Sequence, residues 1–191
     1  DLGLDRIFVY RFDSAKGSLS PNTPFSFRPL EAGAGPRHAA FSPDERDFYV
    51  VSELNSTVTT FVYAPSRGVF GYVGVVPMLP AGFSGRNDAA EIEIHPSGKY
   101  LYASNRGQDS IVVYAIDARS GKLTLVEHTP TGGKEPRHFA IDPTGNFLLA
   151  ENQLSDTIVE FRIDPASGKL TPTGETISVP SPVCITFLPD E

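Results

Sequence analysis

A proline recurs along this chain at Pro43, Pro96, Pro143 and Pro189, with spacings of 53, 47 and 46 residues. Around each proline the neighbouring residues repeat in kind. An apolar run precedes it, a tight turn contains it (SPDE, HPSG or DPTG), and a second apolar run follows (FYVVS, YLYAS or FLLAE). Proline second and glycine fourth suit a reversal between antiparallel strands. A polar link rich in Asn, Ser, Gln and Asp then leads to a third run, TVTTFVY, SIVVYAI or DTIVEFR. Its β-branched residues alternate in places with period two, as strands do. A Ser-Arg-Gly or Ser-Gly-Lys turn precedes a fourth run, such as Leu123 to His128.

A unit of four short strands repeating at this period predicts an all-β fold, a β-propeller of four-stranded antiparallel blades. A β-sandwich also alternates and turns often, but it does not require the same turn chemistry three times in register. No stretch has helical periodicity. The repeats run approximately over 35–87, 88–133 and 134–180, in a single domain, with partial blades at 1–34 and 181–191. The opening segment, Asp5 to Ser20, matches a third strand and its turn into a fourth. Cys184 to Phe187 reads as the first strand of a further blade. The link from Pro77 to Ala89 reads as an enlarged loop. Three complete units with partial blades leave open, apolar ends, which favour self-association between copies.

Composition narrows the function classes. The 191 residues carry 16 basic and 23 acidic side chains, a net charge of −7. Such an acidic chain is a poor general binder of nucleic acid or anionic membrane. No 18-residue apolar stretch predicts a membrane span. The single Cys184 excludes an intramolecular disulfide and a cysteine-based zinc site. A cytoplasmic location is the expectation, although the first residue is Asp1 and a targeting segment upstream is left open.

Antiparallel order places the links between fourth and first strands on the same face of the disc as those between second and third. Five residues before each anchor proline stand His38, Glu91, His138 and Cys184, preceded by Arg37, Ala90, Arg137 and Val183. These positions lie at the mouth of the innermost strands. His and Glu can move protons near neutral pH, and Arg can hold a carboxylate or phosphate or stabilise an oxyanion. Arg86 and Arg106 belong to loops on the same face. Glu53 and Glu151 are placed to pair with the arginines as rim ions. His95 and His128 read as structural, and Cys184 as a small buried packing residue. Ser52 and Ser104 lack a convincing Ser-His-Asp context. No phosphate-binding glycine loop or metal-ligand spacing is present.

The segments GPRHAAFSPD, VVSELNSTV, EIEIHPSGKYLYASNRG and GETISVPSPVCITFL together resemble the lactonase family of seven-bladed propellers. That family includes propeller-type 6-phosphogluconolactonases and carboxy-muconate cyclases. The resemblance covers nearly the whole chain and matches the C-terminal portion of a family member. It implies hydrolysis or formation of a lactone, with a His, a Glu and arginines around the channel mouth. Carried over by position, these are His38, Glu91, Arg86 and Arg137. The expected function is hydrolysis of a small anionic sugar lactone. His38 or Glu91 acts as general base, Arg137 stabilises the oxyanion, and Arg37, Arg86, Arg106 and His138 assist in substrate binding. No metal or organic cofactor is needed for such an ester. A muconate-type lactone-forming cycloisomerase and a non-catalytic binding propeller or inactive fragment are the alternatives, and fold alone cannot choose among them.

Overall fold

The computed structural model describes residues 1–188, all outside helices except for one turn of 3-10 helix at Gln153–Ser155. The anchor Pro189 lies outside the described residues. Three four-stranded antiparallel blades form the body. An N-terminal hairpin precedes them, with an interruption at Val9. Its outgoing arm is β1 (Arg6–Phe8) and β2 (Tyr10–Asp13), and its returning arm is β3 (Ser18–Pro21) and β4 (Phe27–Pro29). The first complete blade comprises β5 (Pro36–Phe41), β6 (Asp47–Ser52), β7 (Thr57–Ala64) and β8 (Val69–Pro77). The second comprises β9 (Asp88–Ile94), β10 (Tyr100–Arg106), β11 (Ser110–Ile116) and β12 (Leu123–Pro130). The third comprises β13 (Pro136–Ile141), β14 (Phe147–Asn152), β15 (Thr157–Ile163) and β16 (Leu170–Ser178). In each blade the strands pair in chain order, and β5, β9 and β13 are the equivalent first strands.

Apolar side chains meet between blades rather than within a single layer. Tyr49, Val51, Met78, Leu101 and Val112 fill the first interface, and Tyr102, Val113, Phe139, Leu148 and Phe161 fill the second. Every residue of β6 and β10 is buried, because these strands are covered on both faces. The repeat supplies its own inter-blade clamp. Tyr49 donates its hydroxyl proton to the Gly121 carbonyl at 2.9 Å, and Tyr102 does the same to Gly168 at 2.7 Å. Each buried phenol thereby finds a partner in the next blade.

The turns between first and second strands define what we call the lower face. Gly98 and Gly145, fourth in their turns, have φ of 71° and 75°. A Cβ on Gly145 would lie 2.7 Å from His95 Nε2 in the preceding blade, so glycine serves both conformation and packing there. Glu45 occupies the same turn position with φ of 56°.

The C-terminal expectation is corrected. Residues 179–188 lie in no strand, so Cys184–Phe187 does not form the innermost strand of another blade. In every complete blade the first strand bonds to the second strand of its own blade. Cys184 is exposed rather than packed.

Candidate active site

The opposite, upper face carries the polar cluster. The pairing of first and second strands shifts register in all three blades, between Pro36 and Ala39, at Ala103/Asn105, and between Pro136 and His138. A bulge of this kind bends a strand end and re-aims its side chains. It recurs where His38, Glu91 and His138 stand. In the second blade the Ser104 hydroxyl accepts the Glu91 backbone N–H at 3.0 Å and fixes the irregularity. That is a backbone role for Ser104.

The three side chains meet across blade boundaries. His38 Nδ1 lies 2.8 and 2.7 Å from the two Glu91 carboxylate oxygens. Glu91 Oε2 also lies 3.4 Å from His138 Nε2, and His138 Nδ1 is 2.8 Å from Glu151 Oε1. The result is one chain of alternating carboxylates and imidazoles: Glu151, His138, Glu91, His38. It runs from a fully buried end to a partly exposed one: the Glu151 side chain is 0% exposed and His38 43%, with His138 at 17% and Glu91 at 9% between them.

Hydrogen-bond partners fix the protonation pattern. Arg37 Nη1 lies 3.2 Å from His38 Nε2. A guanidinium can only donate, so this nitrogen accepts and the His38 proton resides on Nδ1, toward Glu91. Both nitrogens of His138 face carboxylates, which suits a doubly protonated ring. Burial by itself lowers the pKa of His138. The bond to Glu151 and the charges of Glu91, Glu151 and Glu93 outweigh burial and raise it. Glu93, two residues along β9 from Glu91, accepts the Ile141 N–H at 2.9 Å. Burial, reinforced by the charge of Glu91 and opposed by that backbone bond, pushes the Glu93 carboxyl up to about 7.

The arginines divide into three kinds. Arg37 is held in place: its Nη1 donates to the Ala90 carbonyl at 2.8 Å, and its Nε lies 3.1 Å from Glu53 Oε2. Burial and the neighbouring Arg106 lower its pKa, against the opposing pull of Glu53. Arg106 is buried and bonds Glu53 Oε1 at 2.7 Å. Glu53 thus joins the first two blades through both arginines. Arg86 stands apart from the His–Glu chain, 89% exposed and paired with Asp88 at 2.8 Å on the rim. Arg137 has no hydrogen bond or ion pair among the described residues. It is half-buried beside His138, which leaves its donors available to an anion.

The site therefore brings together His38, Glu91, His138, Arg37 and Arg137, with Arg106 behind them. The expectation for Glu151 as a rim ion paired with arginine is corrected, because it is fully buried and bonds His138. Glu93 had no part in the expectations. A signal for both exists in the repeat. The positions equivalent to Glu151 hold Val51 and Ser104, and those equivalent to Glu93 hold Ala40 and Ala140. His95 and His128 are structural: His95 Nε2 meets the Gly145 carbonyl at 2.8 Å, and His128 Nε2 meets the Met78 carbonyl at 2.9 Å. Among the described residues no group of three or more His, Cys, Asp or Glu side chains is arranged to hold a metal ion, and no helix is long and apolar enough to cross a membrane.

Residues 1–187 match the family described as lactonase, seven-bladed β-propeller. The chain belongs to this family. It is 40% identical over 188 residues to a 6-phosphogluconolactonase of Bacillus subtilis (strain 168), covering 98% of this chain and 52% of that one. A solved protein from Lactobacillus plantarum superimposes with a TM-score of 0.93 at 38% identity, over 99% of this chain and 54% of that structure. A periplasmic gluconolactonase from Pseudomonas aeruginosa superimposes with a TM-score of 0.91 at 37% identity, over 99% of this chain and 52% of that structure. The chain thus spans about half the length of these relatives, and the lactonase blades it supplies include those bearing the His–Glu chain.

Proposed function

We propose that this lactonase-family chain contributes the catalytic face of an enzyme that hydrolyses a small anionic sugar lactone of the 6-phosphogluconolactone class. The observation that carries this reading is the His38–Glu91 pair at 2.7 Å, with the half-buried Arg137, unpaired among the described residues, on the strand that bears His138. The 40% identity to a 6-phosphogluconolactonase gives the substrate class its support.

His38 is the better base of the pair. Glu91 is shielded and already accepts both the His38 ring and the Ile92 N–H. His38 is partly exposed and presents Nε2 outward. Its contact with Arg37 at 3.2 Å is weaker than the Arg37–Ala90 bond at 2.8 Å, so a water can replace it. Water then gives a proton to Nε2 as its oxygen attacks the lactone carbonyl carbon. Glu91 stabilises the imidazolium that forms. Arg137, with Arg37 or Arg86, binds the acidic group of the substrate and stabilises the tetrahedral oxyanion. On collapse the ring C–O bond breaks, and His38 returns the proton to the leaving alkoxide. The same proton is borrowed and returned, so the base ends the cycle as it began.

The direct test is hydrolysis of 6-phosphogluconolactone above its spontaneous rate, followed as acid release. It should be made with this chain and with a form extended to seven blades. No acceleration by either would overturn the reading. Exposed apolar side chains on the N-terminal hairpin, including Tyr10, Phe12 and Leu19, support association between copies of the 191-residue chain. Light scattering should show a mass that rises with concentration, and a constant monomer mass would count against it.

A further inference from the structure

Glu151 is the costliest group in the site. It is fully buried, its Oε2 has no hydrogen-bond partner, and its repeat equivalents are Val51 and Ser104, which carry no charge. Removing a carboxylate from water is expensive unless a partner repays it. The partner is His138 Nδ1 at 2.8 Å. This second carboxylate–imidazole pair repeats the His38–Glu91 pair one step deeper, but it faces inward. Its free nitrogen points at Glu91, not at solvent.

We propose that Glu151 is a positioning residue: it holds His138 as the doubly donating cation that orients the Glu91 carboxylate toward His38. The groups facing His138 are Glu151 from β14 and Glu91 and Glu93 from β9, with Arg137 beside it on β13. Without Glu151 a neutral His138 has one donor. If that proton stays on Nδ1, the Nε2 lone pair confronts the Glu91 carboxylate, which must turn away. The chain of bonds reaching His38 is then broken two residues from the substitution. The kinetic consequence rests on the hydrolase reading, whereas the effect on the two imidazoles does not.

The experiment is a pH titration of the histidine rings by nitrogen-detected NMR in the wild-type chain, E151Q and E151D. Glu151→Gln keeps the shape and an acceptor for Nδ1–H but removes the charge. The His138 midpoint should fall by about one unit or more. Glu151→Asp should recover part of the shift. In E151Q above that midpoint, the His38 Nδ1 proton should lose its carboxylate partner and its resonance should move upfield, while in the wild type it stays bonded to Glu91; Arg37 keeps Nε2 an acceptor in both. Glu160→Gln, an equal charge change on β15 without a bond to either ring, should alter neither. In the active form, the alkaline limb of kcat/KM should move down with the His138 midpoint. A His138 midpoint unchanged in E151Q, or a His38 Nδ1 proton that ignores it, overturns the proposal even if lactone is hydrolysed. Both ring effects without hydrolysis would uphold the proposal and overturn the hydrolase reading instead.

Discussion

On the lower face the three turns at 42–45, 95–98 and 142–145 close in a common way. Each sets its fourth residue at positive φ, and side chains such as Asp44 and Asp142 bond nearby backbone N–H groups. On the upper face the same repeat carries different chemistry in each blade. One position holds His38, Glu91 and His138; another holds Val51, Ser104 and Glu151; a third holds Ala40, Glu93 and Ala140. Repetition below keeps the blades superimposable. Departure from repetition above makes neighbouring blades complementary, so that an imidazole from one meets a carboxylate from the next. Substitutions should therefore fall into two groups: those above alter chemistry and pH response, and those below alter stability alone.

The largest expected effect breaks the upper chain at its solvent end. In an active form, His38→Ala should lower kcat by roughly a hundredfold to ten-thousandfold, the range for a lost general base. Glu91→Gln should cost nearly as much, since it removes the charge that stabilises the His38 cation. KM should change little in both. Near-normal turnover in either variant would place the base elsewhere.

Glu93 comes next. Its pKa near 7 exceeds the ordinary value of 4.5, so the folded state retains a proton that the unfolded chain releases between those limits. Its contribution thus makes stability fall as pH rises from about 4.5 to about 7, by up to about 3 kcal/mol, and level off above. Glu93→Gln preserves an acceptor for the Ile141 N–H and abolishes this dependence. Denaturant unfolding at pH 5 and pH 8 should show the variant losing less stability than the wild type across that interval. Equal losses would mean that Glu93 is ionised when folded.

Arg137→Ala tests the upper-face arginine that has no hydrogen bond or ion pair among the described residues. A hydrogen bond to a charged group is worth about 1.5–3 kcal/mol, which predicts a KM for an anionic lactone raised about tenfold to a hundredfold. Turnover should also fall if Arg137 meets the oxyanion. Stability should hold, because no ion pair is lost. A neutral lactone of the same ring size should show a smaller rise in KM. Identical effects on both lactones would remove the anion-binding role.

The blades were legible in the sequence because their turns repeat, and turn chemistry is local. Pro96 with Gly98 and Pro143 with Gly145 announce a reversal without knowledge of the rest of the chain. The three mouth residues were legible for a related reason, as equal counts back from the prolines. Glu53 and Glu151 were both placed beside the arginines, and Glu53 does bond Arg37. The partner of Glu151, His138 across a bulged ladder, and the second partner of Glu53, Arg106 in the next blade, depend on side-chain directions that spacing does not encode. The final segment shows the opposite error. Cys184–Phe187 has the composition of a first strand, but strand formation needs a hydrogen-bonded neighbour, which composition does not supply.

The smallest effect sharpens the comparison from below. Glu45 departs from the repeat on the lower face, where Gly98 and Gly145 hold the equivalent place. Its φ of 56° puts a Cβ in the left-handed region, at a cost of roughly 1–2 kcal/mol relative to the usual conformation. Gly98 and Gly145 also touch the preceding blade, at Pro43 and His95 respectively. Among the described residues the exposed Glu45 side chain makes no hydrogen bond or ion pair of its own to offset the strain. Glycine at this position relieves the strain but adds freedom to the unfolded chain, offsetting about 0.5–1 kcal/mol of the gain. Glu45→Gly should therefore stabilise the protein slightly, by about 0.5–1 kcal/mol in denaturant unfolding. Lactone hydrolysis in an active form should not change. A loss of activity in this variant would show that a departure from the repeat on the lower face also reaches the chemistry, and the division between the two faces would fail.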